Sequence, residues 1–264
     1  MDQTDARPPR WPSVTLYGLG FAVNFLDTLG VGSFATTAAT LKLGRLVDDE
    51  RIPGTLNVGN ALPTMLEALL FIALVPVDRL TLGSMVVAGC LGAWFGTGVV
   101  VGLPRRQIQR AMALALLITA GFIALRQLDG LPAGGDAAGL RGVALVVAVL
   151  ASTLIGALTS LGIGNYAPTM AVLYLLGMSP LMVFPIMATC AALILPTAAL
   201  RFHRSGRYSV PVARALALGG LPGVLVAFYF VRSLEVGLLR WLVVAVLGYT
   251  CVQLYRSSLQ APSR

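Results

Sequence analysis

The sequence has too few charged residues for a soluble protein. Asp, Glu, Lys and Arg make up 11% of its 264 residues, apolar residues make up 57%, and the mean hydropathy is +0.83. A soluble domain carries roughly 25% charged residues, because its surface must be covered with polar groups. The composition therefore predicts an all-α membrane protein. The length suffices for about eight spanning helices of about 20 residues each.

Residues that hold metals or act as catalytic nucleophiles are also scarce. The chain has one histidine, His203, and three scattered cysteines without a CxxC spacing. It lacks the GxxxxGK[ST] phosphate loop, the GxSxG elbow and the HExxH metal motif. We therefore expect no catalytic residues, no metal site, no cofactor and no ATP-driven pumping, and the chain is not predicted to be an enzyme.

The positive charge of the chain does not indicate nucleic-acid binding. The net charge is +8, and nearly all basic residues lie between apolar runs. Arginines in such loops anchor a membrane protein and set its topology. We therefore predict membrane lipid as a partner, and no nucleic acid.

The sequence does contain a set of long apolar runs. They cover residues 14–41, 55–77, 80–103, 111–127, 143–178, 180–200, 209–231 and 236–255. The Gly-, Pro- and Asp-rich segment 126–141 divides them into two groups of four and reads as a linker. We predict two halves, residues 1–130 and residues 131–264.

The two halves share a repeated segment. Residues 26–39 read LDTLGVGSFATTAA and residues 158–171 read LTSLGIGNYAPTMA, an offset of 132 with seven of fourteen positions identical. Each copy holds a Gly-x-Gly within an apolar run. Matched glycine-interrupted segments are the best sequence indication of a transport site. Small residues also recur at 88, 92 and 96 and at 215, 219 and 223. Small residues four apart predict helix-packing seams, and they leave a homodimer possible.

The two runs that contain these glycines are too long for one straight span. Runs of 28 and 36 residues would form helices of about 42 and 54 Å, well beyond a bilayer core of about 30 Å. Each must tilt strongly or break, and glycine marks the weak point. If both fold back, the halves become inverted repeats, with ten segments when each broken helix counts as two.

The basic residues favour this inverted arrangement. With straight first helices, 11 basic residues lie on one side and 8 on the other; with folded-back helices, the split is 14 against 5. Because basic residues concentrate in the cytoplasm, we predict inverted repeats with both termini cytoplasmic.

The glycine breaks provide the candidate substrate site. Half-helices that begin there direct amide groups and the positive end of the helix dipole towards the membrane centre, which suits a small anion. A packing kink is the alternative for each glycine pair taken alone. The candidate substrate-binding residues are Asn24, Thr28, Gly30, Gly32, Ser33, Asn57, Asn60, Thr159, Ser160, Gly162, Gly164, Asn165 and Tyr166.

Two acidic residues inside the apolar runs are candidates for ion coupling. Asp27 lies three residues before Gly30, so it either couples a proton or cation, or caps the half-helix that follows. Glu67 shares one helix face with Asn57, Asn60 and Thr64, a stripe that either lines a cavity or bonds to neighbouring helices.

Taken together, these segments resemble the TauE/SafE sulfite-exporter family. The similarity is carried by FLDTLGVGSFATTAATLKL, RIPGTLNVGNALPT, SLGIGNYAPTMAVLYLLGMSP, LALGGLPGVL and LRWLVVAVLGYT. It implies a multi-pass transporter of the bacterial inner (plasma) membrane that exports sulfite, sulfonates or related anions. Transport of another small anion or solute, and a membrane scaffold without transport, are the alternatives.

Overall fold

The computed structural model describes residues 13–29, 33–72, 77–104, 107 and 135–233. Its regular structure there is helical, apart from one isolated bridge between Ala137 and Met178. The helices are α1 Ser13–Thr28, α2 Ser33–Leu43, α3 Ile52–Ile72, α4 Arg79–Gly102, α5 Gly142–Thr159, α6 Tyr166–Leu175, α7 Pro180–Ser205 and α8 Val210–Ser233, with a short 3₁₀ turn at Asp49–Arg51.

Five of these helices are long and apolar enough to cross a membrane, namely α3, α4, α5, α7 and α8. Large apolar side chains such as Phe95 and Val143 lie exposed on them, at 68% and 80% of their full surface. Such surfaces are suited to lipid and not to water. The chain is thus a helical multi-pass membrane protein. The runs at 111–127 and 236–255 lie outside the described residues, so the predicted number of spans stays a prediction.

Both overlong runs are divided into two helices, as expected. The first becomes α1, which ends at Thr28, and α2, which begins at Ser33. The second becomes α5 and α6, separated by residues 160–165. Gly162 within this second break has φ +97°, a left-handed conformation that glycine adopts without strain. The first glycine pair, Gly30 and Gly32, lies outside the described residues.

The α5–α6 segment reverses direction at its break. Residues just before α5 bond to residues just after α6: Gly135 N–H donates to Met178 O (3.0 Å), and Ser179 N–H donates to Ala137 O (3.0 Å). Both ends of the segment therefore lie at the same end of the molecule. The two helices form a hairpin whose turn lies inside the bundle.

The α1–α2 segment reverses in the same way. Ser209, just before α8, donates its N–H to Thr55 Oγ1 near the start of α3 (2.9 Å), so α3 and α8 begin at one end. The helix α1 runs parallel to α8, since Tyr17 lies beside Gly219 and Phe21 beside Gly223. Because α2 leads to the start of α3, this hairpin also returns to the end where it began.

The centre of the bundle is the antiparallel pair α3 and α7, which pack along their whole length. Gly54 at the start of α3 lies against Phe202 near the end of α7. Phe71 at the other end of α3 meets Phe184 edge-on, with ring centroids 4.8 Å apart. Apolar residues of both helices, such as Leu56 and Ile186, are fully buried there.

Small residues allow two close parallel contacts on either side of this pair. A Cβ at Gly92 of α4 would collide with the Thr153 carbonyl of α5, and a Cβ at Gly223 of α8 would collide with the Phe21 carbonyl of α1. The predicted packing seams are thereby confirmed. In lipid such backbone contact supplies dispersion energy that a larger side chain would prevent.

The two ends of the bundle differ in charge. We call the end where α3 and α8 begin the basic end; its described basic residues are Lys42, Arg45, Arg51, Arg201, Arg204, Arg207 and Arg214. At the opposite end, Asp78 caps α4 by accepting from Thr81 N–H (2.8 Å) and pairs with Arg141. The hydrogen bond from Arg141 is the main cause that holds the pKa of Asp78 well below its usual range.

Candidate functional site

A small buried cavity lies where the two helix breaks approach each other. Its volume is about 20 Å³, which holds about one water molecule. It is lined by Asp27, Ser33, Phe34, Thr64, Gly164, Asn165, Tyr166, Ala191 and Leu195. Residues predicted from both copies of the repeat therefore meet at one place, together with the α3 stripe.

At the first break, Asp27 is hydrogen-bonded across the gap between α1 and α2. Its Oδ1 accepts from the backbone N–H of Ser33, the first residue of α2, at 2.7 Å. A carboxylate at this point satisfies one of the free amides at the start of the helix and complements its dipole. The structure thus places Asp27 as predicted for a cap. Ser33 Oγ is buried beside it without a hydrogen-bond partner.

At the second break, Tyr166 connects the α6 hairpin to Glu67 on α3. The Tyr166 hydroxyl donates to Glu67 Oε1 at 2.7 Å, and both side chains are buried. Glu67 Oε2 has no partner. Phe184 packs edge-on against the Tyr166 ring, with centroids 6.3 Å apart, and fixes its position. A carboxyl group with one free oxygen therefore lies directly behind the cavity wall.

Asn165 lines the cavity, but its side chain is turned towards the protein. Its Nδ2 donates to Met187 O of α7 (3.1 Å), and its Oδ1 accepts from the Thr169 hydroxyl (3.1 Å). It makes no side-chain cap on α6. The first amides of α6, at Tyr166 and Ala167, have no acceptor within their own helix. The two half-helices thus differ, since a carboxylate caps only α2.

Two asparagines of the α3 stripe join helices together. Asn60 Oδ1 accepts from Asn24 Nδ2 of α1 (3.1 Å), and Asn57 Nδ2 donates to the Thr159 carbonyl at the end of α5 (3.2 Å). These bonds match the helix–helix alternative for the stripe. Within it only Thr64 lines the cavity. Asn57 Oδ1 remains buried without a partner.

The remaining predicted residues lie near the breaks but outside the cavity wall. The Thr28 hydroxyl donates back to Asn24 O (2.9 Å), and the Ser160 hydroxyl lies 2.8 Å from Thr97 Oγ1 of α4. Gly162 forms the turn itself and faces Leu56. Their positions suggest roles in shaping the hairpins.

Some residues of the site could not be identified from the sequence. Phe34 lines the cavity and lies in the repeated segment, but it was not among the predicted site residues, and Ala191 and Leu195 stand in an apolar run without a distinguishing pattern. Thr97 stands among apolar residues and glycines in the second half of α4, and its partner is 63 residues away. Thr64 belonged to the predicted stripe but not to the predicted substrate-binding set.

The part of the chain that the structure describes holds no cluster of three His, Cys, Asp or Glu side chains suited to a metal ion. No family model, curated protein or solved structure matches this chain. The resemblance to the TauE/SafE family therefore depends on the quoted segments alone, and any function must be argued from the site.

Proposed function

We propose that the chain is a secondary transporter that carries a small anion, of the sulfite or sulfonate type, between two inverted repeats. The observation that carries the proposal is the meeting of two helix breaks, from Asp27–Ser33 and Gly164–Tyr166, at one buried cavity. Broken helices at membrane depth occur where protein or water covers the freed backbone groups. In transporters built from repeats, such breaks form the substrate site.

The pattern of helix contacts supports the inverted repeats. The two repeats correspond when α1 is exchanged with α5, α2 with α6, α3 with α7 and α4 with α8. Under this exchange the contact between α1 and α8 becomes the contact between α5 and α4. The contact between α3 and α8 likewise becomes the contact between α7 and α4. Because α3 and α7 are antiparallel, the axis that relates them is perpendicular to the helices. The contacts Gly92–Thr153 and Gly223–Phe21 are equivalent under this exchange.

The charge distribution supports a cytoplasmic basic end. Seven described basic residues lie there, whereas only Arg79, Arg141 and Arg232 lie at the opposite end. Such an excess is typical of the cytoplasmic side. Because α1 begins at the basic end, the N-terminal side of the bundle is cytoplasmic in this proposal. A bacterial inner membrane follows from the family resemblance.

The start of α6 supports an anionic cargo. Its amides carry the positive end of the helix dipole, and no side chain caps them. Ser33 Oγ, buried and without a partner, is a further donor on the cavity wall. The cavity of about 20 Å³ is too small for an oxyanion, so this conformation is a closed one. Movement of one repeat against the other must enlarge it.

Asp27 determines when an anion can bind. Its carboxylate already occupies the start of α2, and the lining residues include no basic side chain to offset it. Two like charges 4 Å apart repel by on the order of 4 kcal/mol at an effective dielectric constant of 20. That energy corresponds to a loss of about a thousandfold in affinity. The anion therefore binds when Asp27 is protonated, and each transported anion takes a proton with it.

The same carboxyl groups favour a second candidate, which is a small cation or a neutral polar solute. Asp27 faces the cavity and Glu67 contacts its wall through Tyr166, while no lining residue is basic. A cation would be attracted by the charged form of Asp27. The two candidates predict opposite pH dependence of binding, because protonation admits an anion and expels a cation.

The deciding experiment is flux into proteoliposomes with and without a pH gradient. Methanesulfonate is the best first anion, because it keeps one charge across the pH range whereas sulfite itself exchanges a proton near neutrality. Sulfite, sulfate and thiosulfate follow, with methylammonium as the cation. We expect sulfonate flux that increases when the anion and the proton gradient point in the same direction.

Two variants identify the coupling group. Asp27→Asn keeps an oxygen that can accept from Ser33 N–H, so the fold is retained, but flux should no longer depend on the pH gradient. Asp48→Asn is the matched control, because Asp48 is exposed and makes no side-chain cap. If flux loses its dependence on the pH gradient in Glu67→Gln but not in Asp27→Asn, Glu67 is the coupling group. Flux of methylammonium without any anion flux would select the second candidate, and no flux of any solute would favour a scaffold.

A further inference from the structure

A second cavity lies at the basic end of the bundle, apart from the central site. Its volume is about 310 Å³, and it is formed by the last turns of α4 and α7. The lining residues are Trp94, Gly98, Val101, Arg201, Arg204 and Ser205. None of them lines the central cavity or belongs to the predicted transport residues. The transport mechanism therefore does not account for this cavity.

Two guanidinium groups face the same tryptophan in this cavity. The Arg201 carbon Cζ lies 4.8 Å from the centre of the Trp94 ring, and that of Arg204 lies 6.0 Å from it. Arg201 also donates to the Trp94 carbonyl. Stacking on an aromatic face holds a guanidinium in a fixed orientation while its other N–H groups stay free to bind.

Gly98 provides the space for this arrangement. A side chain at Gly98 would collide with the Arg201 guanidinium, whose Cζ would lie 2.8 Å from the added Cβ. The guanidinium therefore lies flat against the backbone of α4. A larger residue at position 98 would move this charge out of the cavity.

Among the described residues, no carboxylate forms an ion pair with the two arginines of this cavity. The ion pair between Arg141 and Asp78 lies at the opposite end of the bundle. Two neighbouring guanidiniums without a carboxylate repel each other and bind an anionic group favourably. Arginine forks match the geometry of phosphate, since two N–H groups bond two oxygens.

The surface beside the cavity is apolar. Leu91, Phe95 and Val99 follow each other at four-residue spacing on α4, and they are 52%, 68% and 64% exposed. This stripe lies on the face of α4 about 100° around the helix from Trp94 and Gly98, so it borders the cavity on the neighbouring, exposed surface. A ligand that covers both regions must have an anionic head and a long apolar tail.

We propose that this cavity binds the phosphate of an anionic phospholipid, with the acyl chains lying along Leu91, Phe95 and Val99. A zwitterionic choline lipid fits less well, because its own cation would face Arg201 and Arg204. A soluble phosphate ester would leave the apolar stripe uncovered. Anionic lipids are concentrated in the cytoplasmic leaflet, and each nearby arginine contributes about 1 kcal/mol to their binding. That contribution is about fivefold in affinity for each arginine.

The test measures lipid binding to the purified full-length protein by native mass spectrometry. Phosphatidylglycerol and phosphatidylcholine with identical acyl chains are titrated separately, and glycerol phosphate is added as a soluble competitor. We expect phosphatidylglycerol to bind at least fivefold more tightly than phosphatidylcholine. Glycerol phosphate should not displace the bound lipid at equimolar concentration.

The variants are chosen so that a loss of lipid binding can be distinguished from a folding defect. Arg201→Gln loses a bond to α4, whereas Arg204→Gln changes an exposed side chain and should fold normally. Arg214→Gln is the matched control, since Arg214 is exposed at the same end but outside the cavity. We expect phosphatidylglycerol affinity to fall about fivefold in Arg204→Gln and less than twofold in Arg214→Gln. An equal fall in both variants, equal binding of the two lipids, or displacement by glycerol phosphate would each overturn the proposal.

Discussion

The hydrogen bond between Tyr166 and Glu67 is the sharpest quantitative test of how the two halves meet. It joins residues 99 positions apart, at a distance of 2.7 Å, and both side chains are buried. Tyr166→Phe removes only the hydroxyl, because the ring contact with Phe184 is kept. Glu67 then has no partner for either oxygen, since Oε2 already lacks one.

The expected magnitude follows from leaving a buried polar group without a partner. Such a group costs about 1–3 kcal/mol, so Tyr166→Phe should lower the free energy of unfolding by about 2 kcal/mol. Glu67→Leu leaves the Tyr166 hydroxyl without its partner and should cost about 1 kcal/mol. In the double variant, neither polar group remains, and apolar replacement of both partners is nearly neutral. The double variant should therefore be more stable than Tyr166→Phe alone.

The assay is reversible unfolding by sodium dodecyl sulfate in mixed micelles, applied to all four members of the double-mutant cycle. Tyr229→Phe is the control, because Tyr229 is 64% exposed and should change stability by less than about 0.5 kcal/mol. If the two single effects add within about 0.5 kcal/mol in the double variant, the groups are independent. The reasoning about this bond would then be wrong.

Three further predictions concern packing and the helix ends. Gly92→Ala should destabilise the protein by about 1–3 kcal/mol, because the added methyl meets the backbone of α5, whereas Gly83→Ala on the same helix meets nothing within 4 Å and should be neutral or slightly stabilising in thermal unfolding. Asp78→Asn should cost up to about 1 kcal/mol at pH 7, because Asn can still cap α4 but loses the ion pair with Arg141 and the negative charge at the start of the helix. Since the folded protein holds the pKa of Asp78 well below its unfolded value of about 4, its contribution is complete above that value and is lost only as the pH falls through the lowered pKa, so in unfolding measurements the difference between wild type and variant should begin to shrink below pH 4 and should still be present at pH 3. Thr97→Val should cost about 0.6 kcal/mol in SDS unfolding by removing the bond to Ser160, and a change above about 2 kcal/mol would contradict a simple helix–helix bond.

The sequence was most informative about where helices break and which polar residues are buried. The break at residues 160–165 follows from a run too long for one span and from glycine at its centre. The burial of Asp27 and Glu67 follows from their positions inside apolar runs. Both inferences depend only on the composition and spacing of residues within a single short segment of the chain, so they can be made without knowing which segments pack together.

Partners of these residues could not be predicted, because a helical face does not specify its neighbour. The spacing of the stripe predicts that its four residues lie on one face of α3, and these are Asn57, Asn60, Thr64 and Glu67. The structure divides it among α1, α5, the cavity and Tyr166. Each assignment depends on contacts between segments far apart in the chain, and those are decided by packing.

The glycine seams show the same limit in another form. Their sequence pattern pairs Gly92 with Gly219, but the contacts make Gly92 equivalent to Gly223, one turn later. A pattern of small residues every four positions matches itself after one helical turn, since Ala227 continues the series that Gly219 and Gly223 begin. Register within such a seam is therefore set by the backbones that meet there.

In the proposed transport cycle, the bond between Asp27 and Ser33 would connect stability to transport. It satisfies an amide at the start of α2 and so stabilises the closed conformation. It also fills, with the protein's own carboxylate, the place where an anion would bind best. In this proposal, a cargo anion would have to replace a bond that the closed state already makes, and a neutral Asp27 would make that bond weaker. Proton binding at one side chain would thus loosen the first hairpin and remove the charge that excludes the anion. A single titration would then couple both steps, without any basic residue at the site.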